Sequence, residues 1–164
     1  MERQRVIHTL NPVFNSESRI LILGTIPSPK SRETGFYYNH PQNRFWKVTA
    51  AVLSQEAPRT NAEKLRFLLD SHIALWDVLA SCEIAGAGDA SIKKPVVNDI
   101  GKILCAAPIQ AVFTTGAKAT ELYHRFCLEK TGIPPVPLPS TSAANAKYRL
   151  PELISAYRII ADYL

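Results

Sequence analysis

Residues 21–46 read LILGTIPSPKSRETGFYYNHPQNRFW, and this stretch decides the fold. With Arg19 and Ile20 it opens as RILILG, a short apolar run closed by a turn. Near-continuous apolar character without alternation is the mark of a parallel strand covered on both faces. The run breaks at Gly24-Thr25-Ile26-Pro27-Ser28-Pro29, passes through an aromatic loop, and enters a helix at about Pro41 to Trp46. Ser28, Tyr37, Tyr38, Asn39, His40, Asn43 and Arg44 crowd that loop. Any one of them has an ordinary structural reading, as core aromatic or local cap. Together, directly after a strand end, they mark a candidate active site.

Outward from this stretch, apolar period predicts a helix over 43–55 with Phe45, Val48, Thr49 and Val52 on one face. Thr60-Asn61-Ala62-Glu63 has the form of a capping box, followed by a helix presenting Leu65, Leu68 and Leu69. His72–Leu79, running out at Asp77, is predicted as a second strand, Ala111–Thr115 as a third, and the proline-interrupted Ile133–Leu138 as a fourth, at a sheet edge. Helices are predicted over 97–106, 116–127 and 150–163. Residues 1–18 read as an irregular lead-in, 83–94 as a surface loop, and 139–149 as a loop. Alternating strands and helices without repeats or linkers predict one α/β domain over 1–164: a parallel sheet with helices on both faces. Ligands bind such sheets beyond the carboxyl ends of the strands. Four segments end there, 24–43, 76–89, 114–118 and 140–148, and they are expected to share one cleft.

Composition narrows the chemistry. Hydrophobic residues make up 46% and charged residues 20% of the 164 positions, an ordinary globular balance. A formal charge of +5 favours polyanions mildly. Cys82, Cys105 and Cys127 are scattered, without CxxC or Cys/His spacing, so no metal or other cofactor is expected. The opening MERQRVIHTL is too polar for a secretion signal, and no apolar run reaches bilayer length. The expectation is a soluble, cytoplasmic monomer.

Within the cleft, the first turn offers backbone N–H groups and the side chains of Thr25 and Ser28. It lacks the glycines and Lys of a phosphate-cradling P-loop. Tyr37 and Tyr38 present flat faces suited to stacking on a ring. Asn39 can hold a water and His40 can carry a proton. Asp77, at the end of the second strand, can accept from a ring N–H. The small hydroxyl residues of Ser140-Thr141-Ser142-Ala143-Ala144-Asn145-Ala146-Lys147 allow close approach of a phosphate backbone. The bland alternatives are an N-cap for Asp77 and a helix lead-in for 140–147.

The ordered set GTIPS, YYNHPQNRFW, IALWDVLASC and LPSTSAANAKY resembles the uracil-DNA glycosylase superfamily over essentially the whole chain, and within it the hypoxanthine-DNA glycosylase branch. The resemblance implies a three-layer α/β/α sandwich around a four-stranded parallel sheet, no metal, and a base flipped out of DNA. Flipping fits, because the glycosidic carbon is unreachable inside a duplex. It also implies that Tyr38 stacks on the flipped base and that the 140–147 loop grips the flanking phosphates and wedges the duplex. The family's water-positioning Asp or Asn of the first motif is replaced here by Ile26, and Asn39 is the amide that substitutes for it.

The expected mechanism follows. Asp77 accepts from the ring N–H of hypoxanthine, N–H groups of Gly24 to Ser28 donate to its O6, Asn39 holds the water, and His40 donates to the leaving base or orients the loop. No motif lysine serves as nucleophile, so the product is an abasic site. Lys147, Arg149 and Arg44 are candidate phosphate contacts, Arg44 also a candidate structural pair. The expected partner is DNA carrying a deaminated base, in the nucleoid of a bacterium or archaeon. The alternatives are a mismatch-type uracil/thymine or xanthine glycosylase, a weakly active DNA-binding member of the fold, and a nucleoside or nucleotide hydrolase.

Overall fold

A computed structural model of the chain describes residues 2–86 and 88–164. Its centre is a parallel sheet in the order β3-β2-β6-β7, formed by β2 (Ile20–Gly24), β3 (Ile73–Asp77), β6 (Ala111–Thr115) and β7 (Pro135–Leu138). Every residue of β2, β3 and β6 is buried. The helices covering the sheet include α3 (Asn61–Asp70) packed on β3, and α5 (Ala117–Phe126) packed on β6 and β7. α2 (Phe45–Val52) packs against α7 (Leu150–Tyr157). The three-layer α/β architecture expected from the apolar runs is the one observed.

β7 lies at the sheet edge, as its prolines require. Its neighbour pairs Val112 with Pro135 and Thr114 with Pro137. Pro135 and Pro137 alternate with Val136 and Leu138, so the missing N–H groups fall on the open side.

The capping box at Thr60 is formed. Thr60 Oγ1 accepts from the Glu63 N–H at 3.1 Å, and Glu63 Oε2 accepts from the Thr60 N–H at 2.9 Å. Thr60→Ala is expected to lose about 1 kcal/mol, a fall of roughly 2–4 °C in melting temperature by calorimetry. The buried stripe of α3 is set one position away from the expected one. Phe67 and Leu68 are buried, whereas Leu65 is exposed.

The largest difference from the sequence reading is a second, antiparallel sheet in the order β1-β4-β5. Its strands are β1 (Arg3–Ile7), β4 (Leu79–Ala85) and β5 (Lys93–Val97). Parts of the lead-in and both ends of the surface loop are therefore strand, while residues 88–92 stay loop around a 3-10 turn at Asp89–Ser91. β1 buries only Val6 and β5 buries none of its residues, so neither carries the apolar pattern that announces a strand. Pro95 and two lysines blunt the β5 edge.

The second strand runs out at Asp77, as expected, and Leu79 belongs to another strand. β3 ends at Asp77, and β4 begins after the single residue Val78. Val78 N–H donates to Gly24 O at 2.8 Å and Leu79 N–H to Thr25 O at 3.0 Å, which carries the chain from one sheet to the other. The lead-in continues past β1 and forms a bridge between Val13 and Leu75, beside β3.

Further boundaries are tighter than predicted. α4 covers only Gly101–Ala106, since Val97 belongs to β5, and α7 gives way to a 3-10 turn over Arg158–Tyr163. The aromatic loop also contains an unforeseen short helix, α1 (Pro29–Thr34), capped by Ser28 and closed by Gly35 at φ 85°. A short helix, α6 (Leu128–Thr131), follows α5.

Candidate active site

Adjacent strands β2 and β6 send their following segments in opposite directions, β2 toward β3 and β6 toward β7. That reversal opens a crevice at their carboxyl ends. A cavity of about 670 Å³ lies there. The four segments expected to converge do so: the 24–43 stretch, Asp77 and Asp89, Thr115, and Ser140 with Ser142, Ala143 and Ala144 all contribute to its wall.

Gly24 forms the floor because nothing larger fits. A Cβ at this position would stand 2.5 Å from Asp77 Oδ1 and 3.1 Å from the Tyr38 hydroxyl. Asp77 is almost fully buried, and its Oδ2 is 2.9 Å from His8 Nε2. Desolvation raises the Asp77 carboxyl above its ordinary range, while the hydrogen bond and charge of His8 pull it back down. His8 follows β1 and was not singled out in the sequence. A lone histidine in a polar lead-in, 69 residues from its partner, carries no local signal.

Tyr38 stands between the cavity and Phe45. One face lies against Phe45, with ring centroids 4.0 Å apart and planes 12° from parallel, and the residue lines the cavity. Its hydroxyl is 3.1 Å from Thr115 Oγ1, and its carbonyl accepts from Trp46 Nε1 at 3.2 Å. These contacts hold it at φ 52°, a left-handed conformation uncommon for a side chain of this size. Burial pushes the Tyr38 hydroxyl far above its normal range, so it stays protonated. Thr115 Oγ1 has the Leu23 carbonyl as acceptor at 3.4 Å, which leaves the Tyr38 O–H to donate to Thr115. The floor thus presents oxygen acceptors, Asp77 Oδ1 first among them.

The turn after β2 supplies donors. Ile26 and Ser28 have N–H groups with no acceptor among the described residues, and both line the cavity with Thr25 and Pro27. The Ser28 side chain caps α1, accepting from the Ser31 N–H at 3.2 Å. His40 also lines the cavity. Its Nδ1 accepts from the Gln42 N–H at 3.1 Å, so the neutral ring carries its proton on Nε2 as a donor.

Asn39 is not brought into this cavity. Its Oδ1 accepts from Lys64 Nζ at 2.7 Å, and its Nδ2 donates to Thr34 Oγ1 at 2.8 Å and Asn61 Oδ1 at 3.0 Å. It faces a smaller cavity of about 340 Å³ behind the loop, shared with Lys47, Arg59 and Lys64. Asn39 directly follows the left-handed Tyr38, and Tyr38 and His40 line this second cavity as well as the first.

The serine-rich loop divides in two. Ser140, Ser142, Ala143 and Ala144 form one lip of the cavity. Thr141 is buried and donates to Asn43 Oδ1 at 2.8 Å, and Asn145 Nδ2 donates to Ser140 O at 2.9 Å, so both hold the loop's shape. Lys147 is exposed and outside the cavity. Arg44 is a structural clamp and not a phosphate contact. Its guanidinium donates to the carbonyls of Ser142 at 2.8 Å, Asn145 at 3.1 Å, Thr141 at 3.3 Å, and also Tyr148.

Among the described residues no group of three or more His, Cys, Asp or Glu side chains is placed to hold a metal. No helix there is long and apolar enough to cross a membrane.

Comparisons with known proteins agree with this geometry. The chain is 30% identical over 138 residues to a hypoxanthine DNA glycosylase of Methanosarcina barkeri, covering 83% of this chain and 86% of that one. A hypoxanthine DNA glycosylase of Methanosarcina acetivorans matches with the same identity and coverage. A solution NMR structure from M. acetivorans, described as a candidate uracil DNA glycosylase, superposes with a TM-score of 0.78 at 28% identity, over 94% of this chain and 98% of that one. Residues 12–159, from the bridge beside β3 to the 3-10 turn after α7, match the profile of the Uracil DNA glycosylase superfamily, and the chain belongs to that superfamily.

Proposed function

We propose that the protein is a monofunctional DNA N-glycosylase that removes hypoxanthine from DNA. The observation that carries this reading is the cavity floor: a buried carboxylate, Asp77, beside a platform, Tyr38, whose outer face is open. Deamination of adenine turns the ring N1 acceptor into an N–H donor and the exocyclic donor into an O6 acceptor. An ionised Asp77 accepts from the new N–H and repels the lone pair of the parent base. The N–H groups of Ile26 and Ser28 meet O6.

The glycosidic C1′–N9 bond breaks with its electron pair on the base, and water adds to the cationic sugar carbon. Donors aimed at the charge on the departing base lower the barrier. The Ile26 and Ser28 N–H groups and His40 Nε2 are those donors. Asn39 holds the water after its amide leaves Lys64. A DNA phosphate at the basic rear cavity competes for Lys64, and the hydrogen bonds that release Asn39 are to part-exposed or exposed side chains. Ser140, Ser142, Ala143, Ala144 and Lys147 contact the flanking backbone. Lys30 is the one lysine of the described residues lining the cavity, and its Nζ is 3.5 Å from Glu33 Oε2.

The test is release of base from duplexes carrying single deoxyinosine, deoxyuridine or deoxyxanthosine, with free inosine as a further substrate. The expected result is fastest release from deoxyinosine DNA, an unbroken strand until alkali treatment, and no hydrolysis of inosine. Uracil leaving far faster than hypoxanthine overturns the substrate. Strand breakage without alkali overturns the monofunctional mechanism.

A further inference from the structure

Asp77 belongs to the IALWDVLASC motif, but its buried partner His8 lies outside every motif that carries the resemblance and before the matched residues 12–159. The side chains of His8 and Asp77 are 2% and 5% exposed. His8 is held in place by its own backbone N–H, which donates to Ala80 O at 2.8 Å, and by the edge of Trp76 at 6.4 Å between ring centroids. Tyr37 closes the other side, with ring centroids 5.9 Å apart. The imidazole therefore has little freedom except to face Asp77.

We infer that His8 is a positioning residue for base selection: its Nε2–H holds Asp77 ionised, with Oδ1 turned into the cavity, so that the site accepts a base only through a ring N–H. This inference rests on the proposed reading of the cavity as a base pocket. The selectivity argument is one of protonation state. A carboxylate can only accept, and it favours the N–H that deamination creates. A neutral carboxylic acid also donates, and it tolerates the bare ring nitrogen of the undamaged amino base. The difference between damaged and normal base is thus read by the charge on one oxygen pair.

The surroundings of Asp77 make that charge costly to keep. Desolvation acts against it. Tyr37 and Tyr38 on the aromatic loop and Asp89 on the turn between β4 and β5 face it, and an ionised Asp77 raises the pKa of each of them. Gly24 and Thr115, from the neighbouring strands, bring no charge. Asn98 is committed to the Asp77 and Leu79 carbonyls, at 2.9 and 3.1 Å. Across these packed elements His8 is the group that favours the ionised form. Lys118 faces Asp89 and lowers its pKa, so its attraction is taken up one residue further out.

The experiment compares wild type, His8→Phe and His8→Gln. Release from deoxyinosine DNA is measured in single turnover across pH, and the Asp77 carboxyl carbon is titrated by NMR in the DNA-free proteins. Activity requires ionised Asp77, so it is lost as pH falls through the folded-state pKa of that group. Removing the His8 donor raises that pKa, and the acidic limb of His8→Phe moves to higher pH. Release near neutral pH falls roughly tenfold, the size of one hydrogen bond to a charged group, and recovers as pH rises. His8→Gln keeps a donor at similar reach and brings the limb back toward wild type. His40 and Asp89 are common to all three proteins, so the shift between variants is what reports His8.

A His8→Phe profile lowered equally at every pH, or an unshifted Asp77 titration in a folded variant, overturns the inference. If wild type releases no base from deoxyinosine DNA, the proposed function fails, and the NMR titration still decides whether His8 controls Asp77.

Discussion

Asn39→Ala is expected to slow single-turnover release of hypoxanthine by about a hundredfold or more, the usual scale for removing a group that contacts the reacting atoms. Binding of the damaged duplex should change far less. The geometry supplies its own control. Asn39 is tied to Asn61 by one hydrogen bond of 3.0 Å, and Asn61 Nδ2 also donates to the Thr34 carbonyl at 2.9 Å. Asn61→Ala removes those ties and leaves Asn39 in place. If Asn39 acts on water, Asn61→Ala slows release by less than about tenfold, because neutral hydrogen bonds at the surface contribute about 1 kcal/mol each. If the two variants lose activity equally, Asn39 is a tether for the loop that carries Tyr38 and His40, and the water-holding role is gone.

Arg44 should dominate stability. Its side chain satisfies four carbonyls of one loop, from Thr141, Ser142, Asn145 and Tyr148. Its backbone N–H donates to Thr141 O at 3.1 Å as well. Arg44→Met keeps most of the volume and removes every charged donor. Carbonyls left without partners in a part-buried loop cost about 1–3 kcal/mol each when water cannot reach them, and the sum is less than additive. The expected loss is about 3 kcal/mol, seen as a fall of roughly 6–12 °C in melting temperature. Amide exchange in residues 140–148 should accelerate more than in β2 or β6. Arg44→Lys recovers less than half of the loss, since an ammonium cannot reproduce the planar fork that reaches several carbonyls at once. A melting temperature within about 2 °C of wild type for Arg44→Met refutes the clamp.

How much of this was legible in the sequence follows from where the apolar signal is strong. ILILG and AVFTT are buried at every position, and such runs declare a parallel sheet whatever surrounds them. The capping box and the edge prolines act through local backbone chemistry, so they too were readable. The antiparallel sheet was not. β1 is RQRVI with one inward residue, and its partner is some 80 positions away, at Arg3 opposite Ala85. In HIALWDVLA apolar residues continue on both sides of Asp77 across a change of sheet, and Val78 makes the passage without a glycine or proline to announce it. The outward turn of Asn39 was hidden for another reason. It depends on a left-handed tyrosine, which is stable only because Phe45, Trp46 and Thr115, far apart in sequence, hold it there.

The one-residue passage at Val78 has a mechanical consequence. Asp77 closes the rigid parallel sheet, and Leu79, two residues on, begins the sheet to which the N-terminal strand is attached. β1 pairs only with β4 and hides little apolar surface, so it belongs to the part of the molecule that opens most readily. When it frays, His8 leaves with it while the central sheet stays intact. The fidelity of the pocket is therefore less durable than the fold that contains it. Warming or mild denaturant should first yield an enzyme that is folded, able to hold DNA, and poorer at telling a damaged base from a normal one.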